Sequence, residues 1–531
     1  MRTPCDEAIM RSAGDKGSCR SGARGWILAA TILGSSMAFI DGTVVNVALP
    51  ALQASFHANV VDVQWVVESY GLFLGALILV GGSLGDLFGR RLMFVAGVAV
   101  FAVASAACGF ASNINQLIIA RSIQGVGAAL LVPGSLAIIS TSFDEQERGQ
   151  AIGTWSGFTA ITTAIGPVLG GWLVEHASWR WVFFINLPLA GIVIAISLWR
   201  IPESGSAISG RLDWVGAILA TIGLGGLVGG FIESTNLGWR NPLVFGSLIS
   251  GTVSLVTFVW VEAHVVAPMF PLALFKSRAF SGANLLTLFL YAAIGIFFFL
   301  FPLNLIQVQG YSSTATGAAI LPLILLMFSL SRWSGGLVAR YGARSPLIIG
   351  PLICASGFVL FGVPSIGNSY WKAFFPAVIV LGFGMAITVA PLTTVVMNSV
   401  NQDRVGTASG INNTVARVAG VLAIAVLGIV MVKTFGSRLS QDLAHLMLPP
   451  VALQELHANE IKLAGLQVPA GLDPGRTTAI HESVAEAFVF AFRIVMFLCA
   501  SLCLASAVAA GFMIPKDRGG QDRSSGTDSR A

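Results

Sequence analysis

The apolar run that begins near Trp26 ends in the stretch IDGTVVNVALP, residues 40–50. The run is long enough to cross a bilayer, and it places Asp41 inside the hydrocarbon region. A carboxylate at the centre of a membrane helix costs at least about 2.5 kcal/mol and by default marks a functional site. We therefore ask what makes an aspartate useful there.

The composition excludes most other classes of protein. Of the 531 residues, 55% are hydrophobic and 10% are charged, whereas soluble domains carry about 25% charged residues. So few charges cannot cover a surface in water, and the chain is expected to be an all-α polytopic membrane protein. The net charge of +5 does not indicate nucleic-acid binding, because no basic patch alternates with stacking aromatics. The six cysteines lack metal-ligand spacing, so we expect no metal and no cofactor.

Fourteen segments have the roughly 20 mostly apolar residues that a span needs. They are residues 25–47, 64–82, 92–111, 117–139, 149–173, 180–200, 212–232, 242–262, 279–305, 314–337, 346–364, 372–395, 406–432 and 488–512. The apolar run after the polar residues 1–24 is too long for a signal peptide, so we predict a cytoplasmic tail and an uncleaved first span. Residues 513–531 form a second polar tail.

The basic residues of the short loops predict the orientation. With the N-terminus inside, the inner short loops hold ten Lys and Arg residues and the outer ones hold three. Because Lys and Arg favour the cytoplasmic side, both termini of this cell-membrane protein are predicted to be cytoplasmic. The long outer loop at 433–487 contains an amphipathic stretch around Leu453 to Leu466. We expect a solvated loop on the membrane face, with a lid or a partner surface as the alternative.

The chain contains an internal repeat. The stretch 82–91, GSLGDLFGRR, follows span 2, and GGLVARYGAR at 335–344 follows span 10, so that Gly89 and Gly342 are 253 residues apart (342 − 89). The pattern Gly-x-Gly at 125–127 recurs at 382–384 after a similar interval. Such repeats are typical of transporters whose substrate site lies at the midplane between two halves.

These intervals predict two six-helix bundles, at residues 25–200 and 279–512, with two extra helices inserted at 212–262. Four motifs then occur in an order that resembles the major facilitator superfamily, and specifically its 14-spanner drug:proton antiporter branch. They are residues 41–50, 82–91, 117–129 and 157–171. The resemblance covers residues 25–512. It implies the major facilitator fold and a proton-coupled antiporter that exports lipophilic or amphiphilic drugs by alternating access.

The second motif contains glycines that permit a tight turn and charges that can pair or cap neighbouring helix ends. Breaking such contacts would make this loop a conformational latch between states. The second-half copy has Ala339 where the first half has Asp86, so we assign the charge latch to the first half. The latch candidates are Gly82, Asp86, Gly89, Arg90 and Arg91.

The third motif places Arg121 inside a span, where a guanidinium must face a cavity or an anion. Asp41 lies about 24 Å from the inner end of its span and Arg121 about 6 Å from the outer end of its own, so both fall in the outer third. Glu68 falls there too. We expect Asp41, Arg121, Gln124 and Glu68 to couple to protons, because burial favours the neutral carboxyl and a nearby arginine favours the carboxylate. The alternatives are a static ion pair and, for Glu68, an interfacial solvated carboxylate.

The fourth motif resembles the antiporter motif of this superfamily. Small residues let helices approach closely, and proline bends a helix, so a hinge and a plain packing face are both possible structures. The hinge candidates are Gly157, Gly166, Pro167, Gly170 and Gly171.

Polar residues inside other spans are candidates for the substrate cavity. Asn413 and Arg417 share a helix face, and Arg417 lies about 16 Å into the membrane. Substrate contact and contact between helices remain open for this group. The cavity candidates are Asn46, Asn412, Asn413 and Arg417. Spans 9 to 14 have no acidic residue in the core, which disfavours a preference for dications.

We expect a monomer that handles a small lipophilic substrate and protons within the lipid bilayer, without nucleic acid. No stretch is typical of a docking element for a periplasmic adaptor. The alternatives are a narrow-specificity exporter of one metabolite or antibiotic, a proton-symport importer, and a membrane sensor. An enzyme would need a nucleophile or a metal cluster at one depth, and we find neither in the sequence. The sequence also lacks a Walker motif, so ATP is not the expected energy source.

Overall fold

The computed structural model describes residues 18–143, 145–203, 213–265, 268–400, 405–446, 448–469 and 472–515. Within these residues, 14 helices are long and apolar enough to cross a membrane. The tails predicted at residues 1–24 and 513–531 lie largely outside the described residues, as do Arg211 and Arg404, which contributed to the predicted orientation.

Each of the fourteen predicted spans coincides with one helix, so the prediction of an all-α polytopic membrane protein is confirmed. A single turn at Trp181–Phe184 precedes the sixth helix, and a π-helical turn at Asn304–Val308 extends the ninth. The helices are α1 Ser18–Phe56, α2 Val60–Phe88, α3 Arg90–Phe110, α4 Ile114–Ser142, α5 Glu145–His176, α6 Asn186–Arg200, α7 Trp214–Leu237, α8 Pro242–His264, α9 Arg278–Leu303, α10 Ser313–Tyr341, α11 Arg344–Phe361, α12 Phe375–Asn398, α13 Val405–Ala444 and α14 Pro474–Met513.

Several helices begin where a short polar side chain accepts a hydrogen bond from a free backbone N–H, which an isolated helix end would leave unpaired. Asn59 and Asp62 form a reciprocal capping box at the start of α2. A single side chain caps the start of each of α4, α7, α8, α9, α10 and α14. In that order, the capping residues are Asn113, Asp213, Asn241, Ser277, Ser312 and Asp473. Polar residues in the short loops therefore fix where half of the membrane helices begin.

Successive helices run in opposite directions and create two faces. The odd-loop face carries the connections that follow odd-numbered helices. There, Arg180 donates to the carbonyls of Gly109 and Ala111 at 2.8 and 2.9 Å. The even-loop face carries the other connections and the start of α1, and Arg91 donates there to the Ile201 carbonyl at 3.0 Å.

Helices α1–α6 pack on one another as a first half, and α9–α14 pack as a second half. The halves meet where α2 packs against α13 and where α5 packs against α10. The inserted helices α7 and α8 pack on each other, and α7 also contacts α2 and α13. This is the architecture of two six-helix bundles with two added helices.

The paired glycines of the repeat make equivalent contacts in both halves. A side chain at Gly125 would meet α2 backbone at 2.6 Å, and one at Gly127 would meet α3 backbone at 2.6 Å. In the second half, Gly382 faces α10 backbone at 2.9 Å and Gly384 faces α11 backbone at 2.7 Å. Helix α4 therefore corresponds to α12, and in both the glycines allow the close approach of two neighbours.

The connection before α14 is shorter than the loop predicted at 433–487. Helix α13 continues to Ala444 and α14 begins at Pro474, because Asp473 caps a helix that starts well before the apolar segment. The intervening residues form a helix at Pro450–Ala458 and a 3-10 turn at Glu460–Gly465. That turn contacts α1 and α2 of the first half and α13 and α14 of the second.

Candidate functional site

Asp41 of α1 and Arg121 of α4 form a buried ion pair. The guanidinium donates from Nη1 to Oδ2 of Asp41, and the two side chains are 0% and 1% exposed. The structure thus brings together the two charges that the depth argument placed at one level. Each charge compensates the other in a region where neither could stay alone.

Amide and hydroxyl side chains complete the shell around Asp41. Gln124 accepts from Nη1 of Arg121 at 2.7 Å and donates to Oδ1 of Asp41 at 2.8 Å. Asn186 donates to the same oxygen at 3.5 Å and to the hydroxyl of Ser105 at 3.0 Å. All these side chains are buried. The carboxylate is therefore held by a polar network from α1, α3, α4 and α6.

Sequence reasoning missed Ser105 and Asn186. Ser105 lies in the middle of α3 among alanines, and Asn186 lies directly after the turn that precedes α6. Their signal was a polar residue within an apolar span, which is common where helices hydrogen-bond to each other. The oxygen Oδ1 of Asn186 is buried without a hydrogen-bond partner in the described part of the protein.

The Arg121 guanidinium is fixed by more than its carboxylate. Its Nε donates to the Val66 carbonyl of α2 at 3.1 Å, and its Cζ lies 4.3 Å from the centre of the Tyr70 ring. Tyr70 in turn donates to the Ala38 carbonyl of α1 at 3.1 Å. These contacts join α1, α2 and α4 around the charge, and the cation–π geometry adds to its stabilisation.

Glu68 lies apart from this network. Its side chain is 0% exposed, and both carboxyl oxygens are buried without a hydrogen-bond partner among the described residues. The alternative of an interfacial, solvated carboxylate is therefore wrong. A buried carboxyl without a partner is expensive when ionised, so this environment favours its neutral form.

The register of α2 against α13 explains the burial of Glu68. Gln64 donates to the Ile424 carbonyl at 3.4 Å, and the side chain of Val421 lies against Gly71. Glu68 is about one turn from both residues of α2 and so faces the apolar segment between Val421 and Ile424. This contact lies on the seam between the two halves. The carboxylate that the sequence allowed to be solvated is thus covered by the other half of the protein.

The latch candidates cluster at the even-loop face of the first half. Arg90 donates to Oδ1 of Asp86 at 2.7 and 3.0 Å, and Arg91 pairs with Glu203 at 3.4 Å. Gly89 has φ +107°, and a side chain there would meet the Glu203 carboxylate at 2.5 Å. Glycine is therefore required at 89. Gly82 is less constrained, because a side chain there would meet only ordinary van der Waals contact at 3.8 Å.

Sequence reasoning did not identify Glu203 as part of the latch. It lies beyond α6 and follows Pro202, and its carboxylate also accepts from the backbone N–H of Arg91 at 3.1 Å. This acceptor completes the start of α3, where the free N–H groups favour an anion. The ion pairs of Asp86 with Arg90 and of Arg91 with Glu203 both lie within the first half.

The hinge candidates line two sides of α5. Added side chains at Gly166 and Gly170 would meet Thr43 and Val44 of α1, both at 2.2 Å, and one at Gly171 would meet the Ser313 carbonyl at 2.2 Å. The Pro167 carbonyl faces Gly317 of α10 in the same way, whereas Gly157 has only a distant neighbour at 3.9 Å. Four of the five residues thus hold α5 close to α1 and, across the seam, to α10.

The family described as Major Facilitator Superfamily matches residues 31–216 and 214–424. The chain belongs to the major facilitator superfamily. It is 34% identical to the multidrug resistance protein Stp of Mycobacterium tuberculosis, over 92% of each chain. It is 33% identical to the tetracenomycin C resistance and export protein of Streptomyces glaucescens, over 93% of this chain and 92% of the relative.

Solved structures of major facilitator proteins share the fold at low sequence identity. A bacterial homolog of the human lysosomal transporter Spinster matches with a TM-score of 0.63 at 17% identity, over 93% of this chain and 98% of the other. A D-xylose–proton symporter matches with a TM-score of 0.61 at 13% identity, over 93% and 99%. The protein is a multi-pass membrane transporter of this superfamily, not an enzyme.

The cavity candidates of this transporter separate into two kinds. Asn412 donates to Thr287 at 2.7 Å and to Asn284 at 3.2 Å, so it joins α13 to α9. Asn413 and Asn46 are more accessible and donate to the carbonyls one turn earlier on their own helices, at 3.0 and 3.3 Å. Contact between helices is thus the observed role of Asn412. Arg417 is partly exposed and lies against Gly75.

Among the described residues, no three His, Cys, Asp or Glu side chains come together as metal ligands would.

Proposed function

We propose that this transporter is a proton-coupled antiporter that exports lipophilic or amphiphilic compounds across the cytoplasmic membrane by alternating access. The observation that carries the proposal is the Asp41–Arg121 pair, enclosed by Gln124 in the core of the first half. The resistance functions named for the relatives support the export of small toxic molecules. The excess of basic residues in the alternate short loops supports an orientation with both termini in the cytoplasm.

Asp41 has the two opposed influences that a transported proton requires. Burial favours the neutral carboxyl, and the guanidinium of Arg121 favours the carboxylate. A movement of α4 relative to α1 that lengthens this contact would leave the carboxylate uncompensated, and it would then take up a proton. Restoring the contact would release the proton. The amides of Gln124 and Asn186 can donate to either form, which keeps the network intact in both states.

Glu68 is the second proton site in this proposal. Its protonation depends on whether α13 packs against α2 at the seam, and not on Arg121. With α13 packed over it, the carboxyl is buried without a partner among the described residues, an environment that favours its neutral form. Separation of α2 from α13 would expose it to water, where it would ionise. Protonation of Glu68 therefore favours closure of the seam on the odd-loop face.

Contacts at the odd-loop face are those that alternating access must break. Gln307 of the second half donates to Gln53 of the first at 2.8 Å. The Glu175 carboxylate accepts from the backbone N–H of Thr314, at the start of α10, at 3.1 Å. Both contacts join the two halves. We infer that their loss opens this face, while the ion pairs of the 82–91 loop restrain the even-loop face of the first half.

The experiment is proton-driven dye transport in inverted membrane vesicles, comparing the wild type with Asp41→Asn. The wild type is expected to accumulate a lipophilic dye under an imposed pH gradient, and the variant is expected to bind the dye without accumulating it. Asp442→Asn is the matched control, because that carboxylate pairs with Arg438 on its own helix outside the core. Unchanged transport by Asp41→Asn would remove Asp41 from the coupling mechanism.

Two further outcomes distinguish the alternatives. If the wild type accumulates no dye from a broad panel but moves one metabolite or antibiotic, the protein is a narrow-specificity exporter. If the solute moves in the same direction as the proton, the protein is a symporter and the proposed exchange is wrong.

A further inference from the structure

Arg417 is a charged residue in the middle of the molecule that the coupling mechanism leaves unused. Its Cβ lies 3.6 Å from the position that a side chain at Gly75 would take. Gly75 is near the centre of α2, and Arg417 is ten residues inside the apolar segment that starts at Thr407, or about 15 Å along the helix. Both helices therefore place this guanidinium near the bilayer midplane, on the seam between the halves.

The residues that face Arg417 carry no negative charge. On α9, Gly295 packs against Gly420 and Thr287 accepts from Asn412, and this parallel register places Tyr291 level with Arg417. Tyr70 of α2 lies within electrostatic reach of Arg417 as well, but its ring packs on Arg121 and its hydroxyl donates to the Ala38 carbonyl.

The nearby carboxyl groups are committed elsewhere. Asp41 is compensated by Arg121, and the two together contribute no net charge. Glu68 lies two turns further along α2 and is covered by α13. Arg417, by contrast, has no ion pair or hydrogen bond within the described residues and remains partly exposed. The described seam around it is thus positively charged when its carboxyl groups are paired or neutral.

A guanidinium at this depth requires an anion or water, because hydrocarbon cannot solvate it. Gly75 lets α13 pack closely on α2 beside Arg417, and Tyr291, which is partly exposed, provides an aromatic wall on α9. A planar fork of N–H donors matches the geometry of a carboxylate or of a similar acidic group. The site thus has a cation without a partner among the described residues and one ring against which an aromatic or apolar body can pack.

We propose that Arg417 binds the acidic group of the transported molecule, so that the substrates are anionic or weakly acidic amphiphiles, such as carboxylates, acidic phenols and enols, in preference to lipophilic cations. This inference rests on the proposed export function and adds the substrate class. It assigns Tyr291 to the body of the substrate. It also gives Arg417 a role that is distinct from proton coupling at Asp41.

The test compares 8-anilinonaphthalene sulfonate, a lipophilic anion, with ethidium, a lipophilic cation, in proteoliposomes with an imposed pH gradient. Valinomycin and equal potassium on both sides clamp the membrane potential, so that the charge of the dye does not bias its movement. The variants are Arg417→Gln, Arg417→Lys and Arg417→Glu. Lys433→Gln is the control. It removes a cation from the same helix, but this cation lies beside Trp239 and away from the seam.

In the wild type, kcat/KM for the anion should exceed that for the cation by about tenfold, the ratio that one modest charge interaction supplies. Arg417→Gln should reduce anion transport by about tenfold and change ethidium transport by less than about threefold, and Arg417→Glu should reverse the preference. Arg417→Lys should retain part of the preference for the anion, and Lys433→Gln should retain all of it.

The outcomes separate this inference from the proposed function. A wild type that transports ethidium better than the anion overturns the substrate class but leaves proton-driven export intact. Equal loss of both dyes in Arg417→Gln, with folding retained, also overturns it, since the residue would then serve the conformational cycle. A wild type that moves no solute against the gradient contradicts the proposed function itself.

Discussion

The two halves of this transporter share a backbone plan but have opposite interiors. In the first half, the space between α1, α3, α4 and α6 contains the paired charges of Asp41 and Arg121 with their hydrogen-bonded shell. In the second half, the corresponding interior is aromatic. Phe297 lies 4.9 Å from Phe301 and 4.8 Å from Phe361, measured between ring centroids, and all three are at most 1% exposed.

The repeat shows how this difference arises. The paired glycines of α4 and α12 make the same close helix contacts, so the repeat retains what packing requires. The residues that precede them differ, since the second half has Val378 and Leu381 where the first has Arg121 and Gln124. Close packing is thus common to both halves, whereas the buried charge is confined to one. We infer that the first half handles the proton and that the aromatic core of the second half is a rigid packing element.

The largest expected effect comes from breaking the charged interior. Arg121→Ala would leave Asp41 as an uncompensated buried carboxylate and lower the free energy of unfolding by about 3–5 kcal/mol. Proton-driven transport should be lost. Adding Asp41→Asn should restore part of the stability but none of the transport, which denaturation in detergent and vesicle assays would measure. If Arg121→Ala unfolds at the same denaturant concentration as the wild type, the pair does not hold α1 to α4.

A smaller effect is expected from the aromatic interior. Phe297→Ala would leave a cavity among stacked rings and lower the free energy of unfolding by about 3 kcal/mol. Because no titratable group lies in this cluster, the pH profile of transport should keep its shape. Phe297→Leu should recover most of the stability. A shifted pH profile in either variant would contradict the division of roles between the two halves.

The smallest effect is expected at the latch. Asp86→Asn removes an ion pair between the end of α2 and the start of α3, and because Asp86 is half exposed, the loss should be about 0.5 kcal/mol or less. The rate of transport should change more than the stability does, if the loop restrains the exchange between states. Stopped-flow dye transport alongside thermal unfolding would separate the two effects. A large loss of stability with an unchanged rate would make this loop a purely structural element.

The sequence was sufficient for the membrane helices and for the pairing of Asp41 with Arg121. Long apolar segments determine the former, and the depth of each charge along its helix predicts the latter. Depth alone does not reveal which helix faces which, so Ser105 and Asn186 were missed although both lie within apolar segments. The burial of Glu68 was not predicted for the same reason, because it comes from α13, more than 300 residues away in the chain.

The apolar pattern of the sequence also did not predict where some of the helices begin and end. The odd-loop connection after α13 contains amphipathic segments whose burial depends on both halves, and the apolar periodicity could not show that α13 and α14 continue past the membrane. Glu203 was missed because the four helices α3 to α6 lie between it and its partner Arg91 in the sequence. Contacts between distant segments therefore account for each of these differences.

The inserted helices determine from which side a molecule dissolved in the bilayer can reach the seam. The glycines of α7 at 223, 226 and 230 would meet α8 within 2.7 Å if they carried side chains, so these two helices form one fixed unit. Trp65 of α2 donates to Glu233 of α7 at 2.8 Å, and Val421 of α13 packs in the same apolar cluster as Val228. The unit therefore spans the groove between the halves along its α2–α13 side. A hydrophobic molecule dissolved in the bilayer would find that side shielded, and its lateral approach to the transport pathway would be confined to the side where α5 crosses α10.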